Sequence, residues 1–496
     1  MKFYVDERLV SHGAYEIFRA FFREEFDRVP FEVLESCQGF FAALWFDDRI
    51  ENLNMVIFDG VKRQQASIAL KSEFSSREFK LIQRQLVYRT ARDFCGHELP
   101  WGLLTGIRPT KMIAQERNKG KNEEEIRSYL RDVHYVSKEK IDVIFEVDAI
   151  ERPFLEAVKA NSYSLYVGIP FCPTRCSYCS FPSYARNHHE SWVAPYLDKL
   201  DLELQETANL FEKWTLSSVY IGGGTPTALH VDELRRVIRL IRSYFSVPEE
   251  LEFTVEAGRP DTLDDAMLKM LRAEKINRIS INPQTMNDET LVRIGRSHDS
   301  KAVVDVFYKA RKFGFEEINM DLIVGLPGEN KKELERTLFE IGKLQPDHLT
   351  VHSLAVKRAS SLGEKAYRHE HEEGWAGTDQ VLYQFAKKNK YVPYYLYRQK
   401  NIVGNLENVG FTKPEHLNLY NIYIMSDQQT IAACGVGAVS KFVYSDQIKR
   451  VPNAKSIPDY LKNMEDKLEK KASLLTKFGE YDINTGKFID SNDEDE

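Results

Sequence analysis

Short apolar runs alternate regularly with longer amphipathic stretches between residues 164 and 357. Six runs rich in Val, Ile, Leu, Tyr and Phe predict strands at 165–170, 218–222, 251–256, 278–282, 317–324 and 348–354. The stretches between them have helical spacing, as in Leu234, Val237, Ile238 and Ile241. Repeated strand–helix units predict parallel strands with right-handed crossovers, in a doubly wound sheet or a full or partial (β/α) barrel. In either fold the chemistry belongs at the carboxyl ends of the strands.

The chain on either side of this region follows other patterns. Residues 1–160 predict a separate α+β domain, with a strand at 55–61 that runs into an Asp-Gly turn and a helix over 79–94. Residues 358–475 predict a mixed region with a helix over 373–390, a hairpin made of 420–425 and 429–434, and a charged helix over 457–475. We therefore predict four segments, which are 1–160, an α/β core at 161–357, a C-terminal region at 358–475 and a disordered acidic tail at 476–496.

A loop rich in Gly and Pro, at residues 99–111, precedes a predicted helix. Arg108 and Lys111 would suit contact with an anion or a partner. Pro109 also suits the first position of an ordinary helix, and this simpler interpretation is favoured.

Composition and charge place the chain among intracellular globular proteins. It has 496 residues, 43% of them apolar and 29% charged, with a net charge of −7, so no global attraction to nucleic acid or to an anionic membrane is expected. Cys37, Cys95 and Cys434 are isolated, which argues against a disulfide framework. The chain has neither an apolar signal core at its start nor an apolar run of about 18 residues. A cytoplasmic location is expected.

The other three cysteines, Cys172, Cys176 and Cys179, follow the first predicted strand with the spacing C-x3-C-x2-C. Thiolates this close together favour a 4Fe–4S cluster in which one iron has no protein ligand and is open to a small molecule. Zinc with a fourth ligand such as His188 or His189 is a second possibility, and inert buried thiols are a third.

Polar or glycine-rich motifs end the next four predicted strands. The second strand ends in Gly222-Gly223-Gly224-Thr225, where backbone can approach a ligand closely. The remaining candidates are polar side chains that could bind ribose, amine or carboxylate groups, namely Glu256, Gln284, Arg296 and Asp321. Three of these candidates have a simpler interpretation, which is a tight turn for the glycines, an exposed rim residue for Glu256 and a buried structural cap for Asp321.

Taken in order, these motifs resemble the radical S-adenosylmethionine (SAM) superfamily. The series Tyr-x-x-Ile-Pro-Phe-Cys-x3-Cys-x2-Cys, Gly-Gly-Gly-Thr-Pro-Thr, Asn-Arg-Ile-Ser and Asp-Leu-Ile-x-Gly-Leu-Pro resembles the oxygen-independent coproporphyrinogen III oxidase (coproporphyrinogen dehydrogenase) family. The long N-terminal region with Gly-Ile-Arg-Pro-Thr-Lys is similar to its HemZ-type branch. The resemblance is strong over 164–357 and weak over 394–401 and 435–438. It implies a partial (β/α)6 TIM-like radical SAM barrel with an N-terminal α+β domain and a mixed C-terminal extension that covers the substrate.

The resemblance also implies roles for individual residues. Cys172, Cys176 and Cys179 would hold the 4Fe–4S cluster, and Tyr178 would lie against the adenine of SAM or against a second SAM molecule. The implied contacts to the cluster-bound SAM are Tyr166, Gly223 and Glu256. The residues implied to line the same pocket are Gly224, Thr225, Gln284, Arg296 and Asp321, with a backbone contact from Ala355.

The activity implied by the resemblance is the oxidative decarboxylation of coproporphyrinogen III to protoporphyrinogen IX in haem and porphyrin biosynthesis. It uses a 5′-deoxyadenosyl radical made from one or two SAM molecules and an electron donor such as flavodoxin or ferredoxin. The tetrapyrrole substrate carries four carboxylates, for which Lys357, Arg358, Arg398 and Lys400, beside Tyr395 and Tyr397, have suitable chemistry. The simpler interpretation of these cations is a solvated basic edge.

One departure from the family pattern leaves the substrate open. Gly168 stands where well-studied members have His, and residues 352–358 also differ. Two alternatives therefore remain, a haem chaperone of the same superfamily and a radical SAM enzyme that methylates or opens another tetrapyrrole. The long N-terminal region disfavours the chaperone.

Overall fold

The described chain forms two compact units in the computed structural model. The first unit contains Met1–Asp148 and Tyr397–Glu407, and the second contains Ala149–Leu396 and Asn408–Glu496. The structure describes residues 1–9, 11–22, 26–30, 32–35, 37–47, 51–70, 74–357, 359–364, 375, 377–400, 402–444, 447–479, 481–482 and 487–488. Arg358 and most of the predicted tail at 476–496 lie outside these residues.

A five-stranded sheet forms the centre of the first unit. Its order is β2-β1-β3-β4-β5, with β1 parallel to both neighbours and β3, β4 and β5 antiparallel. The strands are β1 (Lys2–Val5), β2 (Asp27–Arg28), β3 (Phe41–Asp47), β4 (Asn52–Phe58) and β5 (Arg63–Ala69). The helices are α1 (Ser11–Phe22), α2 (Glu32–Glu35), α3 (Ser76–Cys95), α4 (Pro109–Asn118), α5 (Glu123–Ser128) and α6 (Lys138–Glu156), the last of which contains the unit boundary.

Local sequence explains where the helices of this unit begin and end. The Ser75 side chain accepts a hydrogen bond from the backbone N–H of Glu78, whose carboxylate accepts one from the Ser75 backbone, so α3 starts with a capping box. The helix ends at Gly96, whose φ of 72° suits glycine. Helix α4 begins at Pro109, as the simpler interpretation of the 99–111 loop predicted.

Residues 397–407 belong to the first unit through a buried polar cluster. Glu407 accepts hydrogen bonds from Trp101 Nε1 at 2.9 Å and from Lys140 Nζ at 2.7 Å. Arg398 lies over the Trp101 ring and donates to the backbone carbonyls of Leu104 and Leu406, and burial lowers the pKa of its guanidinium to about 10. The interpretation of Arg398 as part of a solvated basic edge is therefore wrong, and its hydrogen bonds serve the fold of this unit.

An eleven-stranded sheet forms the centre of the second unit. Its order is β14-β15-β13-β12-β11-β10-β9-β6-β16-β17-β18, beside two small two-stranded sheets, β7-β8 and β19-β20. The first strands are β6 (Ser162–Ile169), β7 (Phe171–Cys172), β8 (Tyr184–Ala185), β9 (Thr215–Gly223), β10 (Glu252–Glu256), β11 (Arg278–Ser280), β12 (Glu317–Val324) and β13 (His348–Ser353). They are followed by β14 (Val392–Tyr397), β15 (Asn408–Thr412), β16 (Thr430–Gly435), β17 (Val439–Val443), β18 (Ile448–Pro452), β19 (Tyr481–Asp482) and β20 (Lys487–Phe488).

Six neighbouring strands of this sheet, β6 and β9 to β13, are parallel, as the alternating pattern predicted, and they lie in chain order. They are the six strands that the partial (β/α)6 barrel implied by the resemblance requires. The helices of the unit are α7 (Val193–Leu210), α8 (Val231–Tyr244), α9 (Asp265–Ala273), α10 (Asp288–Arg293), α11 (Ser300–Lys312), α12 (Lys331–Leu344), α13 (Ser361–Glu364), α14 (Thr378–Lys388), α15 (Leu419–Ser426) and α16 (Ile457–Gly479). The apolar stripe predicted in α8 is buried, with Leu234, Val237, Ile238 and Ile241 at most 1% exposed.

The predicted hairpin at 420–425 and 429–434 is wrong. Its first half is helix α15, because the Asn418 side chain accepts the backbone N–H of Asn421 at 2.8 Å and starts a helix. Its second half is β16, which pairs in parallel with β6. In the part of the chain that the structure describes, helices lack the length and apolar character needed to span a membrane.

Candidate active site

The cysteine motif lies in the loop that leaves β6, where it is held by the loop after α10. Ser177 N donates to Ile294 O at 3.0 Å, and Thr174 Oγ1 donates to Gly295 O at 3.0 Å. Cys179 N donates to Cys176 O at 3.1 Å, which closes a turn between two of the thiols. Cys176 is buried, Cys172 and Cys179 are half-buried, and all three are free thiols. The loop thus presents three free cysteines from a segment that is held between Cys172 and Cys176 and again between Cys176 and Cys179.

The three thiols could hold a metal cluster only in their thiolate form. Burial raises the pKa of Cys172 to about 11, so the bare thiol keeps its proton at neutral pH, and metal charge is needed to favour the thiolate. Among the described residues, no three His, Cys, Asp or Glu side chains converge as ligands of one ion. A 4Fe–4S cluster is held differently, because its thiolates bind separate iron atoms. His189, a candidate fourth ligand for zinc, bonds through Nδ1 to Ala185 O and packs against Trp192.

Each glycine of the Gly222-Gly223-Gly224 motif is required by a different neighbour. A Cβ atom at Gly222 would lie 2.9 Å from Glu256 Oε2. Gly223 has a φ of +109°, which side chains rarely adopt, and pairs with Ile169 of β6. A Cβ at Gly224 would lie 2.6 Å from Phe171 O and 3.0 Å from Cys172 Sγ. The motif therefore brings β9 backbone against the cysteine loop with no side chain between them.

Thr225, the residue after this motif, contacts the cysteine loop directly. Its hydroxyl donates to Cys172 Sγ at 3.5 Å, and its backbone N–H donates to Phe171 O at 2.7 Å. The side chain is 3% exposed. Thr225 is thus placed to orient the Cys172 sulfur.

A stack of three tyrosines lies beside Glu256. Tyr166 and Tyr220 face each other across β6 and β9 with ring centroids 6.2 Å apart, and Tyr420 of α15 stacks on Tyr220 at 4.4 Å. The Tyr220 hydroxyl donates to Glu256 Oε1 at 2.5 Å. Burial raises the pKa of Glu256 to about 7, the Tyr220 hydrogen bond lowers it, and the charge of Asp321 raises it. Glu256 is therefore a polar group held in place at the tip of β10, and not an exposed rim residue.

Sequence reasoning missed Tyr220 and Tyr420 as members of this stack. Tyr220 could have been identified from the sequence, because it lies two residues before Gly222 on the same face of β9. No sequence feature indicated Tyr420, since its segment was predicted to be a strand. It reaches the barrel because Glu252, at the start of β10, accepts the backbone N–H groups of Leu419 and Tyr420 at 2.8 and 2.9 Å.

Asp321 and Gln284 join the ends of β11 and β12. The two oxygens of Asp321 accept hydrogen bonds from the side-chain amides of Asn282 at 2.8 Å and Asn319 at 2.7 Å, as a structural cap would. Gln284 N donates to Asp321 O, and Gln284 has an unusual φ of 67°. Its Oε1 atom is buried and has no hydrogen-bond partner among the described residues. An orphaned acceptor of this kind suits a ligand hydroxyl or amine.

Arg296 connects this region with the cysteine loop. Its Nη1 atom donates to Asn282 O at 2.5 Å and its Nη2 atom to the Tyr178 hydroxyl at 3.3 Å. Its Nε atom is buried without a partner in the described structure, and the residue is 7% exposed. Ala355, the last predicted site residue, lies two residues after β13 at the sixth strand end. Except for Arg296, which follows α10, the predicted site residues lie in the carboxyl-terminal halves of the six parallel strands or in the segments that follow these strands.

Gly168, the departure from the family pattern, has a structural explanation. Strand β16 pairs with β6 so that Gly435 lies opposite Gly168, and the Tyr196 hydroxyl donates to Gly168 O. A Cβ atom at Gly168 would lie 3.1 Å from Val436 O and 3.5 Å from the Tyr166 ring. A side chain at this position would therefore press against the backbone that follows β16, which would have to shift by a few tenths of an ångström.

Comparison with known proteins gives several matches. A family model described as the radical SAM superfamily matches residues 166–341. The oxygen-independent coproporphyrinogen-III oxidase-like protein HemZ of Bacillus subtilis is 38% identical over 440 residues, which are 85% of this chain and 86% of that protein. The haem chaperone HemW of the same species is 38% identical over 195 residues, or 39% of this chain and 51% of that one.

Two further matches come from Escherichia coli. Its oxygen-independent coproporphyrinogen III oxidase is 34% identical over 215 residues, which are 42% of this chain and 46% of that protein. The solved structure of coproporphyrinogen III oxidase (HemN), described as a radical SAM enzyme, superposes with a TM-score of 0.52 at 24% identity, covering 64% of this chain and 73% of the other. At this identity the superposition supports the fold alone.

Proposed function

We propose a function from the family to which the chain belongs, which is the radical SAM superfamily and, within it, the HemZ-type branch of the oxygen-independent coproporphyrinogen III oxidase family. The chain converts coproporphyrinogen III to protoporphyrinogen IX without oxygen. In this reaction each of two propionates loses a hydrogen atom, an electron and carbon dioxide and becomes a vinyl group. The proposal rests on the contact of Cys172 Sγ with Thr225, beside Gly224, which joins the cysteine loop to the glycine motif. The 38% identity to HemZ over 440 residues gives this contact its family context.

The residues of the loop would hold the cofactors. Cys172, Cys176 and Cys179 would bind a 4Fe–4S cluster and leave one iron open for the amine and carboxylate of SAM. When bound, this pair supplies the one-electron chemistry that cleaves SAM to a 5′-deoxyadenosyl radical, with a donor such as flavodoxin or ferredoxin providing the electron. A cytoplasmic location would suit both the free thiols and such a donor.

The strand ends would bind and orient SAM. Glu256 would accept hydrogen bonds from an amine or from ribose hydroxyls, since its carboxylate is fixed by Tyr220. Gln284 offers an unpaired acceptor and Arg296 an unpaired donor, and Tyr178 offers a ring beside Arg296. Gly223 and Ala355 would contribute backbone, and one or two SAM molecules could be held.

A second candidate function is haem binding without turnover. It is favoured by the 38% identity to a haem chaperone across the core and by Gly168, which lacks the imidazole of well-studied oxidases. The two functions differ in turnover and not in the cluster.

The two candidates are separated by one anaerobic assay. Reconstituted full-length protein is incubated with SAM, a reductant and coproporphyrinogen III, and a parallel sample is incubated with haem. We expect protoporphyrinogen IX and 5′-deoxyadenosine in a fixed ratio over several turnovers, and neither product from Cys176→Ala. Stoichiometric haem capture without protoporphyrinogen would support the chaperone and contradict the oxidase, and a methylated or ring-opened tetrapyrrole would contradict both.

A further inference from the structure

A buried arginine outside the predicted site lies against Cys176, the most buried cysteine of the motif. Arg259 follows the tip of β10 by three residues and is 3% exposed. Its Nη1 atom lies 3.8 Å from Cys176 Sγ and donates to Thr174 Oγ1 at 3.1 Å and more weakly to Thr174 O at 3.4 Å. The guanidinium therefore holds both the backbone and a sulfur of the cysteine loop.

The opposite side of this guanidinium is held by Asp261. Arg259 Nε donates to Asp261 Oδ1 and Nη2 to Asp261 Oδ2, both at 2.9 Å, so the pair is bidentate. His298, whose side chain is 1% exposed, has Nδ1 3.6 Å from Asp261 Oδ1. Because two of the three guanidinium nitrogens are fixed by the carboxylate, the third is directed at the loop. A cation is thus fixed next to a sulfur, and its counter-charge lies on the far side.

We propose that Arg259 and Asp261 form a positioning pair that fixes Cys176 and sets the reduction potential of the cluster this cysteine would hold. The inference rests on the cluster assignment in the proposed function but not on the identity of the substrate. Reduction adds one negative charge to a cluster, and hydrogen bonds and charges around its sulfurs shift its potential. The Arg259 cation stabilises the reduced form and raises the potential, whereas the Asp261 carboxylate opposes it.

Because Arg259 and Asp261 carry opposite charges, an effect of the pair on the reduction potential can be distinguished from a purely structural role. If the pair were only structural, loss of either partner would loosen the loop and disturb the cluster in the same way. If it sets the potential, Arg259→Gln removes a positive charge and moves the potential to more negative values. Asp261→Asn removes a negative charge and moves it to less negative values. Arg259→Lys, which keeps the charge, stays closer to the unmodified protein than Arg259→Gln does.

Thr174→Val supplies a matched control for the loop itself. It removes the hydroxyl that Arg259 bonds while leaving both charges in place. We expect its cluster to have the potential of the unmodified protein, even if less cluster is retained.

The test is a reductive titration of the full-length, anaerobically reconstituted protein, followed by electron paramagnetic resonance without SAM or tetrapyrrole. The proposal predicts shifts of opposite sign for Arg259→Gln and Asp261→Asn. Equal potentials in all variants, or shifts of the same sign, would overturn it. If Arg259→Gln retains no cluster, Asp261→Asn decides alone, because only a shift to less negative potential agrees with the proposal. An unmodified protein that binds no iron would instead contradict the proposed function.

Discussion

The Tyr220 hydroxyl donates a hydrogen bond to the Glu256 carboxylate at 2.5 Å, between the tips of two neighbouring parallel strands. Tyr220 is itself covered by the ring of Tyr420, whose centroid lies 4.4 Å away. Glu256 is thereby restricted in position before any ligand arrives. Its pKa of about 7, raised by burial, places its ionisation close to neutral pH.

This contact predicts how SAM binding depends on pH. If the Glu256 carboxylate accepts hydrogen bonds from SAM, affinity rises with pH as the group ionises through about 7. Tyr220→Phe removes a hydrogen bond that lowers this pKa, so the rise moves to higher pH. At pH 8 we expect Tyr220→Phe to bind SAM about tenfold more weakly, or by ~1.4 kcal/mol, as for a lost hydrogen bond to a charged group.

Isothermal titration of reconstituted protein from pH 6 to pH 9 measures this effect. Tyr420→Phe is the matched control, because it keeps a stacked ring and leaves the Tyr220–Glu256 bond in place. Identical pH profiles for the unmodified protein and Tyr220→Phe would refute the positioning role of Tyr220.

The close contacts around Gly168 predict that a histidine at this position would destabilise the protein. Since a Cβ atom there would lie 3.1 Å from Val436 O, Gly168→Ala should lower the free energy of unfolding by about 1 kcal/mol and Gly168→His by roughly 1–3 kcal/mol. Urea unfolding checks this, with Gly39→Ala as the control because a Cβ at Gly39 meets no atom within 4 Å. A Gly168→His variant as stable as the unmodified protein would show that the space is available.

A buried ion pair supports the strand that crowds Gly168. Lys471 Nζ lies 2.8 Å from Glu203 Oε1, and both side chains are at most 1% exposed. Glu203 Oε2 accepts the backbone N–H of Gly435 at 2.7 Å and the Tyr460 hydroxyl at 2.6 Å. The pair therefore ties α7 and α16 to the end of β16.

Removing one charge of this pair should be costly because the other is left buried and unpaired. We expect Glu203→Gln and Lys471→Met each to lower the free energy of unfolding by about 3–5 kcal/mol. The double variant should lose less than the sum of the two, as a double-mutant cycle by urea unfolding would measure. Additive losses would mean that the two side chains do not interact, and Lys301→Met, at the exposed Lys301–Asp305 ion pair, serves as the low-cost control.

Local patterns predicted the parallel strands and the positions of the motifs, because apolar runs and helical stripes reflect burial directly, whereas the barrel was implied only by the family resemblance. The strand ends were identified without any knowledge of pairing, since parallel strands place them at one edge. The error at residues 420–425 arose because an apolar run is compatible with helix or strand, and a single capping residue, Asn418, decides between them.

Contacts between residues far apart in the chain could not be predicted from the sequence. No local sequence pattern shows that Arg398 and Glu407 contact Trp101, which lies about 300 residues earlier in the chain. The same holds for Arg259, which contacts Cys176 from a separate loop. One practical consequence is that deleting residues 1–148 would remove Trp101 and the Leu104 carbonyl from Arg398, and the Trp101 and Lys140 donors from Glu407.

The central claim, that Cys172, Cys176 and Cys179 hold an open cluster to which SAM binds, has a direct test. Full-length protein is reconstituted anaerobically, reduced, and given SAM without tetrapyrrole, and 5′-deoxyadenosine is measured together with iron content and the paramagnetic resonance spectrum. We predict about four irons per chain, a spectrum that changes when SAM is added, and 5′-deoxyadenosine. Each Cys→Ala variant of the motif should lose all three, and Cys95→Ala should lose none. Retention of the cluster and of SAM cleavage in Cys176→Ala would contradict the account.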